Sequence, residues 1–164
     1  MDIKPLLPEH WATVKTIYEQ GIATGHATFQ TGAPEWPVWD GAHLVHSRLV
    51  ALEDDQVIGW AALTPVSSRC VYAGVAEVSV YIARDHRGRK VGETLLRALV
   101  DVSEQHHIWT LQAGIFPENE ASLKMHKSCG FRTVGFREKI GQMNGLWRDT
   151  VLLERRSTKI GQGY

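Results

Sequence analysis

The feature that most constrains the fold of this chain is the segment Val78–Gly92, where a strand-like run passes into a basic turn that opens a helix. Residues 73–83 alternate in side-chain character, as a strand does, and residues 93–105 repeat leucine and valine at helical spacing. A further strand is predicted at residues 108–115. Two strands joined by a whole helix are expected to run parallel in one sheet, with a right-handed crossover.

The remaining predicted elements surround this unit and complete an α+β fold. Helices are predicted at residues 8–24, 35–47 and 119–128, and strands at 2–6, 48–53, 57–64, 131–139 and 147–154. The polar residues between the second and third of these strands indicate a hairpin. We therefore expect a single domain at residues 1–156, built as a mixed central sheet flanked by helices, and a loose polar tail at residues 157–164.

Composition and short motifs exclude several classes of protein. The 18 basic and 18 acidic residues balance, whereas a general nucleic-acid binder needs a basic surface. No apolar run approaches the roughly 18 residues of a membrane span, and the first residues lack the pattern of a secretory signal. Cys70 and Cys129 form no C-x-x-C pair, and His43 and His46 have no evident third ligand for a metal. We expect a cytoplasmic protein with no metal and with no nucleic-acid or membrane partner.

The basic turn has the chemistry of a phosphate site. The first turn of a helix presents free N–H groups and the positive end of the helix dipole, and glycine allows a ligand to approach the backbone. Arg84, Arg87, Arg89 and Lys90 add positive charge. The glycine patterns of dinucleotide-binding folds and P-loops are both absent. Taken alone, the turn is equally consistent with a solvated basic loop.

A second group of polar residues falls on one face of the predicted helix at residues 119–128. Asn119, Ser122 and His126 are spaced at i, i+3 and i+7, so an amide, a hydroxyl and an imidazole share that face. Such a stripe could line a site. By spacing alone, the simpler interpretation is that Asn119 caps the helix and His126 lies at the surface.

Together these segments resemble the GNAT superfamily of acyl-CoA-dependent N-acetyltransferases. The phosphate loop of that family reads R/Q-x-x-G-x-G/A, and residues 87–92 here read RGRKVG. The match holds at Arg87 and Gly92 and departs at Lys90, where the family has glycine. The expected order of strand, loop and helix, followed by an Asn-helix-Gly-Phe element, extends over residues 3–156.

Within the superfamily, the chain resembles the phosphinothricin and methionine sulfoximine N-acetyltransferases. The similarity rests on IY at residues 17–18, ATF at 27–29, EVSVYI at 77–82, the segment 119–131 and GLWRD at 145–149. It implies transfer of an acetyl group from acetyl-CoA to the α-amine of a small glutamate-like amino acid. It also implies a homodimer and an association with antibiotic or herbicide resistance.

The resemblance assigns roles to individual residues. Glu77 corresponds to the general base, and His126 stands near the position of the acid that protonates the departing thiolate. The implied cofactor-binding residues are Val80, Tyr81, Ile82, Arg87, Gly88, Arg89, Lys90, Val91, Gly92, Glu93 and Asn119. The implied acceptor-binding residues are Ser67, Arg69, Glu77, Val78 and Ser79.

Two other functions stay open at the level of sequence. The first is a GNAT enzyme with another amine or peptide acceptor. A site for a polycationic acceptor would favour a cluster of Asp and Glu side chains. Residues 65–72 contain no acidic residue and offer Arg69 instead, which favours an acceptor that bears a carboxylate. The second is a non-enzymatic acyl-CoA sensor, because Lys90 replaces the loop glycine. A carboxylate at Glu77 favours catalysis, although on its strand alone it also fits a solvent-facing residue.

Overall fold

The computed structural model describes residues 1–163 as one seven-stranded sheet with helices on both faces. The strands are β1 (Asp2–Pro5), β2 (Leu49–Glu53), β3 (Gln56–Pro65), β4 (Val75–Ile82), β5 (Thr110–Ile115), β6 (Arg132–Met143) and β7 (Leu146–Arg156). The α-helices are α1 (Trp11–Ile22), α2 (Trp36–Ala42), α3 (Val91–Gln105) and α4 (Glu120–Ser128). The strand order β1-β2-β3-β4-β5-β7-β6 confirms the mixed α+β sheet predicted from the sequence.

Among the described residues, β4 and β5 are the one parallel pair of strands, and they separate soon after they meet. Their ladder contains three register pairs, from Val75–Thr110 to Glu77–Gln112. Beyond this point β4 stays with β3 as far as Ile82, whereas β5 stays with its other neighbour, β7. One edge of β4 is therefore left without a strand partner, and a wedge-shaped gap opens in the sheet.

The two faces of the sheet are packed by different helices, and this fixes which side chains of β4 point to each face. On one face, Leu95 and Leu99 of α3 are fully buried in a core that includes Ala76 and Val78. Successive strand residues point to opposite faces, so Glu77, Ser79 and Tyr81 point toward the α1 side. There the aromatic ring of Tyr81 stacks on Trp60, with ring centroids 4.9 Å apart.

The second helix is shorter than the sequence pattern predicts. It ends at Ala42 rather than at Ser47, because Arg48 satisfies the carbonyl groups that a longer helix would use. The Arg48 guanidinium donates to the carbonyl oxygens of Asp40 and His43, each at 2.9 Å. Ser47 lies in the left-handed region at φ 56°, which also stops helical propagation.

The last hairpin is longer than predicted, because its turn is tighter. Asn144 and Gly145 have φ values of 52° and 77°, as in a two-residue hairpin turn, so strand pairing continues to Met143–Leu146. The sequence pattern placed a broad loop over residues 140–146 instead.

The C-terminal residues make specific contacts with the domain. Arg156 donates to the carbonyl oxygens of Ile160 at 3.1 Å and Gly161, and the Ser157 hydroxyl donates to Glu104 at 2.8 Å. The domain boundary at Arg156 and the looseness of the tail at residues 157–164 stay predictions, and Tyr164 lies outside the described residues. Over residues 1–163, no helix is long and apolar enough to cross a membrane.

Candidate active site

A cavity of about 200 Å³ lies where β4 and β5 diverge. It brings together side chains from β4, β5, β7, α4 and the loop that follows α1. The lining residues are Ala27, Thr28, Phe29, Glu77, Val78, Ser79, Val80, Tyr81, Ala113, Gly114, Ile115, Phe116, Asn119, Ser122, His126 and Thr150. The ionisable side chains of this lining are Glu77, Tyr81 and His126. Burial raises the pKa of Tyr81 well above its ordinary value, so its phenol stays neutral.

Glu77 occupies the last pair of the β4–β5 ladder, at the point where the gap begins. Its register partner is Gln112, whose side-chain Nε2 donates a hydrogen bond to Glu77 Oε2 at 3.1 Å. This contact fixes the plane of the carboxylate and leaves the other oxygen available to a ligand. Glu77 is half-buried in the cavity wall, so it is not the solvent-facing strand residue that its alternating pattern also allowed.

His126 lies on α4 and is 4% exposed. Its Nδ1 is 2.8 Å from the carbonyl oxygen of Ser122, and its ring packs edge-on against Phe131 at a centroid distance of 5.1 Å. Burial lowers the pKa of His126 below its ordinary value, since removal from water disfavours the charged form. The surface position that spacing alone favoured is therefore wrong.

Asn119 uses both ends of its side-chain amide within the protein. Its Oδ1 accepts a hydrogen bond from the backbone N–H of Ser122 at 3.2 Å, which caps α4. Its Nδ2 donates to the carbonyl oxygen of His26 at 3.1 Å, which ties the loop after α1 to the cavity wall. The capping interpretation is correct, and a contact of Asn119 with a cofactor stays a prediction.

The N-terminus of α3 presents a row of free donors. The backbone N–H groups from Gly88 to Glu93 donate to no acceptor in the described residues, and the first bond of the helix is from Thr94 N–H to the Lys90 carbonyl. The side chain of Arg89 is held by Glu53 at 2.8 Å, and this hydrogen bond lowers the pKa of Glu53. The amides of this loop are therefore free to donate hydrogen bonds to a phosphate.

Lys90 adopts a backbone conformation that glycine favours. Its φ and ψ are 61° and 14°, in the left-handed region, and its side chain is exposed. Residues other than glycine rarely adopt this backbone conformation, because their Cβ atom then crowds the neighbouring carbonyl oxygen. A lysine in place of glycine therefore adds backbone strain to this loop.

Replacing Lys90 with Gly is expected to leave binding of coenzyme A intact and to change stability little. Removing left-handed strain contributes about 1 kcal/mol, and the greater freedom of glycine in the unfolded chain offsets part of it. Thermal unfolding and calorimetric titration with coenzyme A measure both effects. Lys90→Val is the matched comparison, and equal unfolding temperatures for Lys90→Gly and Lys90→Val would contradict this account.

The cofactor residues assigned from the resemblance form a continuous track. Val80 and Tyr81 line the cavity, and Ile82 follows them at the end of β4. A Cβ atom added to Gly92 would lie 3.5 Å from the side chain of Ile82, so the N-terminus of α3 adjoins the end of this strand. The unpartnered edge of β4 and the free amides of α3 together fit an extended thioester cofactor with a pyrophosphate.

Two assigned acceptor residues lie outside the cavity. Ser67 and Arg69 belong to the β3–β4 loop, where the Ser67 hydroxyl accepts from the Arg69 N–H at 3.1 Å. The Arg69 guanidinium lies over the ring of Tyr72, 5.4 Å from its centroid. Contact of these two residues with an acceptor stays a prediction.

Two aromatic residues of the cavity wall, Phe29 and Phe116, have no role that the sequence pattern predicts. Phe29 packs edge-on against Phe116, with ring centroids 4.9 Å apart. The Arg148 guanidinium lies over the Phe116 ring, 3.9 Å from its centroid. Arg148 also donates to the Gly25 carbonyl at 2.9 Å, so it fastens the loop after α1 to β7. Phe29 belongs to the ATF segment and Arg148 to the GLWRD segment, and the fold brings both of them onto the ring of Phe116.

Residues 43–152 match the family described as Acetyltransferase (GNAT) domain. The chain is 34% identical to the phosphinothricin N-acetyltransferase of Alcaligenes faecalis over 148 residues, which cover 87% of this chain and 75% of the relative. It is 30% identical to the L-methionine sulfoximine/L-methionine sulfone acetyltransferase of Pseudomonas paraeruginosa over 99 residues, or 60% of this chain and 58% of the relative.

Solved structures share the whole fold. The ribosomal-protein-alanine N-acetyltransferase of Brucella melitensis matches with a TM-score of 0.87 and 26% identity, over 96% of this chain and 100% of that one. An acetyltransferase structure from Salmonella typhimurium with its cofactor acetyl-CoA matches with a TM-score of 0.86 and 25% identity, over 95% and 93% of the two chains. Among residues 1–163, no group of three or more His, Cys, Asp or Glu side chains could hold a metal ion. The chain belongs to the GNAT family, whose members are acetyl-CoA-dependent N-acetyltransferases.

Proposed function

We propose that this enzyme transfers the acetyl group of acetyl-CoA to the α-amine of a small amino acid such as phosphinothricin or methionine sulfoximine. The observation that carries the proposal is a cavity of about 200 Å³ with one carboxylate, Glu77, at the start of the unpartnered edge of β4. Relatives that are named for these two acceptors support the choice of substrate class.

The residues around the gap supply what acetyl transfer to an amine needs. An α-ammonium group has to lose a proton before its nitrogen attacks the thioester, and the free oxygen of Glu77 accepts that proton directly or through one water. Gln112 holds the carboxylate in position. Backbone N–H groups of Val78–Val80 that face the gap stabilise the negative oxygen that forms.

Transfer is direct, without an acetylated enzyme. Cys129 is buried outside the cavity, and burial raises the pKa of its thiol, so it is a poor nucleophile. Cys70 lies at the surface outside the cavity lining. Acetylation of a toxic amino acid on its α-amine would confer resistance to it, and we expect the reaction in the cytoplasm, where acetyl-CoA is present.

The number of carboxylates in the cavity lining distinguishes between the possible classes of acceptor. A polyamine or aminoglycoside carries several cations and favours several carboxylates, whereas Glu77 is the single carboxylate of this lining. A peptide N-terminus is the acceptor suggested by the name of the Brucella structure. The conformation of Lys90 keeps the loop amides free, so the substitution gives no reason to prefer a non-enzymatic sensor.

A panel of amines tests the proposal. Release of coenzyme A thiol is followed with acetyl-CoA and phosphinothricin, methionine sulfoximine, spermidine, an aminoglycoside or an alanine-terminated peptide. We expect the highest kcat/KM for the two glutamate-like amino acids. Faster turnover of the peptide or a polycation would replace the proposed acceptor class, and thiol release with none of the amines would favour the sensor.

We further propose that the enzyme is a homodimer with an isologous interface. The support is an exposed apolar surface on the β6–β7 hairpin at the edge of the sheet. Its large side chains are Val134, Phe136, Ile140, Leu146 and Trp147. Sedimentation at micromolar concentration is expected to show a dimer, and a single species near 18.4 kDa would reject it.

A further inference from the structure

Gly114 lies within β5 at a position where neither the backbone nor the packing requires glycine. Its φ is outside the left-handed region, and a Cβ atom added to it would have no atom within 4 Å. Glycine weakens a strand, and within one it often marks a place where a ligand approaches closely. Because Gly114 is exposed and lines the cavity, room for a ligand is the reason that fits this position.

Gly114 points to the face of the sheet that carries the Glu77 carboxylate. It follows Gln112 by two residues along β5, so both positions point to the same face. The Gln112 side chain donates to Glu77 on that face at 3.1 Å. Two residues of a strand span about 6.6 Å, so the open position begins about that far along β5 from the residue that holds the carboxylate.

The neighbouring strands leave the position of the missing side chain open. If the β4–β5 ladder continued past Glu77–Gln112, Gly114 would pair with Ser79, but the strands have separated there and both residues line the cavity. On its other side Gly114 pairs with Leu152 of β7, whose atoms also stay more than 4 Å from an added Cβ. The space of the missing side chain therefore belongs to the cavity.

The face of the sheet distinguishes the acceptor from the cofactor as the occupant of this space. Helix α3, with the free amides of the proposed pyrophosphate site, packs on the opposite face. The acceptor nitrogen has to come within hydrogen-bond reach of Glu77, directly or through one water, and so lies on the Gly114 face. A glutamate-like side chain on the adjoining α-carbon is long enough to cover β5 from Gln112 to Gly114.

We propose that Gly114 determines which acceptors the enzyme accepts, because its missing side chain leaves room for the side chain of a glutamate-like α-amino acid. This inference rests on the proposed function and deepens it. A larger residue at this position narrows the cavity on the acceptor side and restricts the enzyme to amino acids with short side chains.

Gly114→Val tests the proposal with acceptors that differ only beyond the α-carbon. Steady-state rates are measured at saturating acetyl-CoA with alanine, 2-aminobutyrate, methionine sulfoximine and phosphinothricin. We expect the ratio of kcat/KM for methionine sulfoximine to that for alanine to fall about tenfold or more, since even one methylene group in a pocket changes specificity by this factor. Gly114→Ala should give a smaller fall in the same direction, and neither variant should change KM for acetyl-CoA.

Two controls separate a change in specificity from damage to the fold. Valine is favoured in strands and meets no atom at this position, so the unfolding temperature of Gly114→Val should be at least that of the wild type. Gly41→Ala is the matched control for Gly114→Ala. Gly41 is exposed on α2, outside the cavity lining, and an added Cβ there also has no atom within 4 Å. Its kcat/KM ratio should equal that of the wild type.

The remaining outcomes contradict the proposal in distinct ways. An equal loss for all four amino acids, or no change for any, would mean that Gly114 does not face the acceptor side chain. A larger loss with propionyl-CoA than with acetyl-CoA as donor would assign the space to the acyl group instead. In each of these cases the wild type still acetylates methionine sulfoximine, so the proposed function stands. If the wild type acetylates no amino acid of the series, the proposed function itself is wrong, and this inference with it.

Discussion

Glu77→Gln is expected to lower kcat by roughly 10²–10⁴, the usual contribution of a general base. Glutamine keeps the shape of the side chain and its contact with Gln112, but its amide does not accept the ammonium proton. The affinity for acetyl-CoA should hardly change, because the proposed cofactor contacts are backbone groups farther along β4 and on α3. Steady-state kinetics at saturating acceptor, together with calorimetric titration of coenzyme A, measure both quantities.

The pH dependence of Glu77→Gln separates a base from a substrate anchor. Activity of the variant should recover in part at high pH, where more of the acceptor arrives as free amine. Glu9→Gln is a matched control, since Glu9 is exposed on the turn before α1, away from the cavity. A rise in the acceptor KM with an unchanged kcat would show that Glu77 only positions the substrate.

The second large effect is expected for Gly92→Val. A Cβ atom at Gly92 would lie 2.5 Å from Met125 Sδ, so a valine fits only if the Met125 side chain or the start of α3 moves. We expect part of this movement to displace the free amides at the start of α3. Overpacking typically costs about 1–3 kcal/mol, and 1.4 kcal/mol is a factor of ten in affinity, so we expect KM for acetyl-CoA to rise about tenfold or more.

A second substitution tests the cause of this effect. In Gly92→Val combined with Met125→Ala, the space that the valine needs is free, so KM for acetyl-CoA should fall back toward that of Met125→Ala alone. Persistence of the full effect in the double variant would mean that the valine blocks the ligand directly. Unchanged coenzyme A affinity in Gly92→Val would remove the loop from the cofactor site altogether.

Elements with a local signal could be predicted from the sequence. The strand–turn–helix unit around Val78–Gly92 was predictable because alternation, glycine and helical spacing are all short-range patterns. The helix boundary at Ala42 was not, since the capping group is the side chain of Arg48, and its contacts depend on the folded loop. The tight turn at Asn144–Gly145 has the recognised two-residue sequence and could have been found.

The cavity itself depends on strand register, which no local pattern shows. The strands β4 and β5 pair for three positions and then separate, while β4 keeps its ladder with β3 and β5 keeps its ladder with β7. The same register brings Gln112 beside Glu77, a contact between residues 35 positions apart. The orientation of His126 likewise depends on burial against Phe131, which lies outside its helix.

Hydrogen–deuterium exchange with and without coenzyme A tests the central claim most directly, namely that the cofactor lies along the free edge of β4 and on the start of α3. The account predicts slower exchange in peptides that cover residues 78–82 and 88–93, and unchanged exchange in the turn at residues 144–145. Binding of coenzyme A, verified by calorimetry, without protection of the first two segments would contradict it.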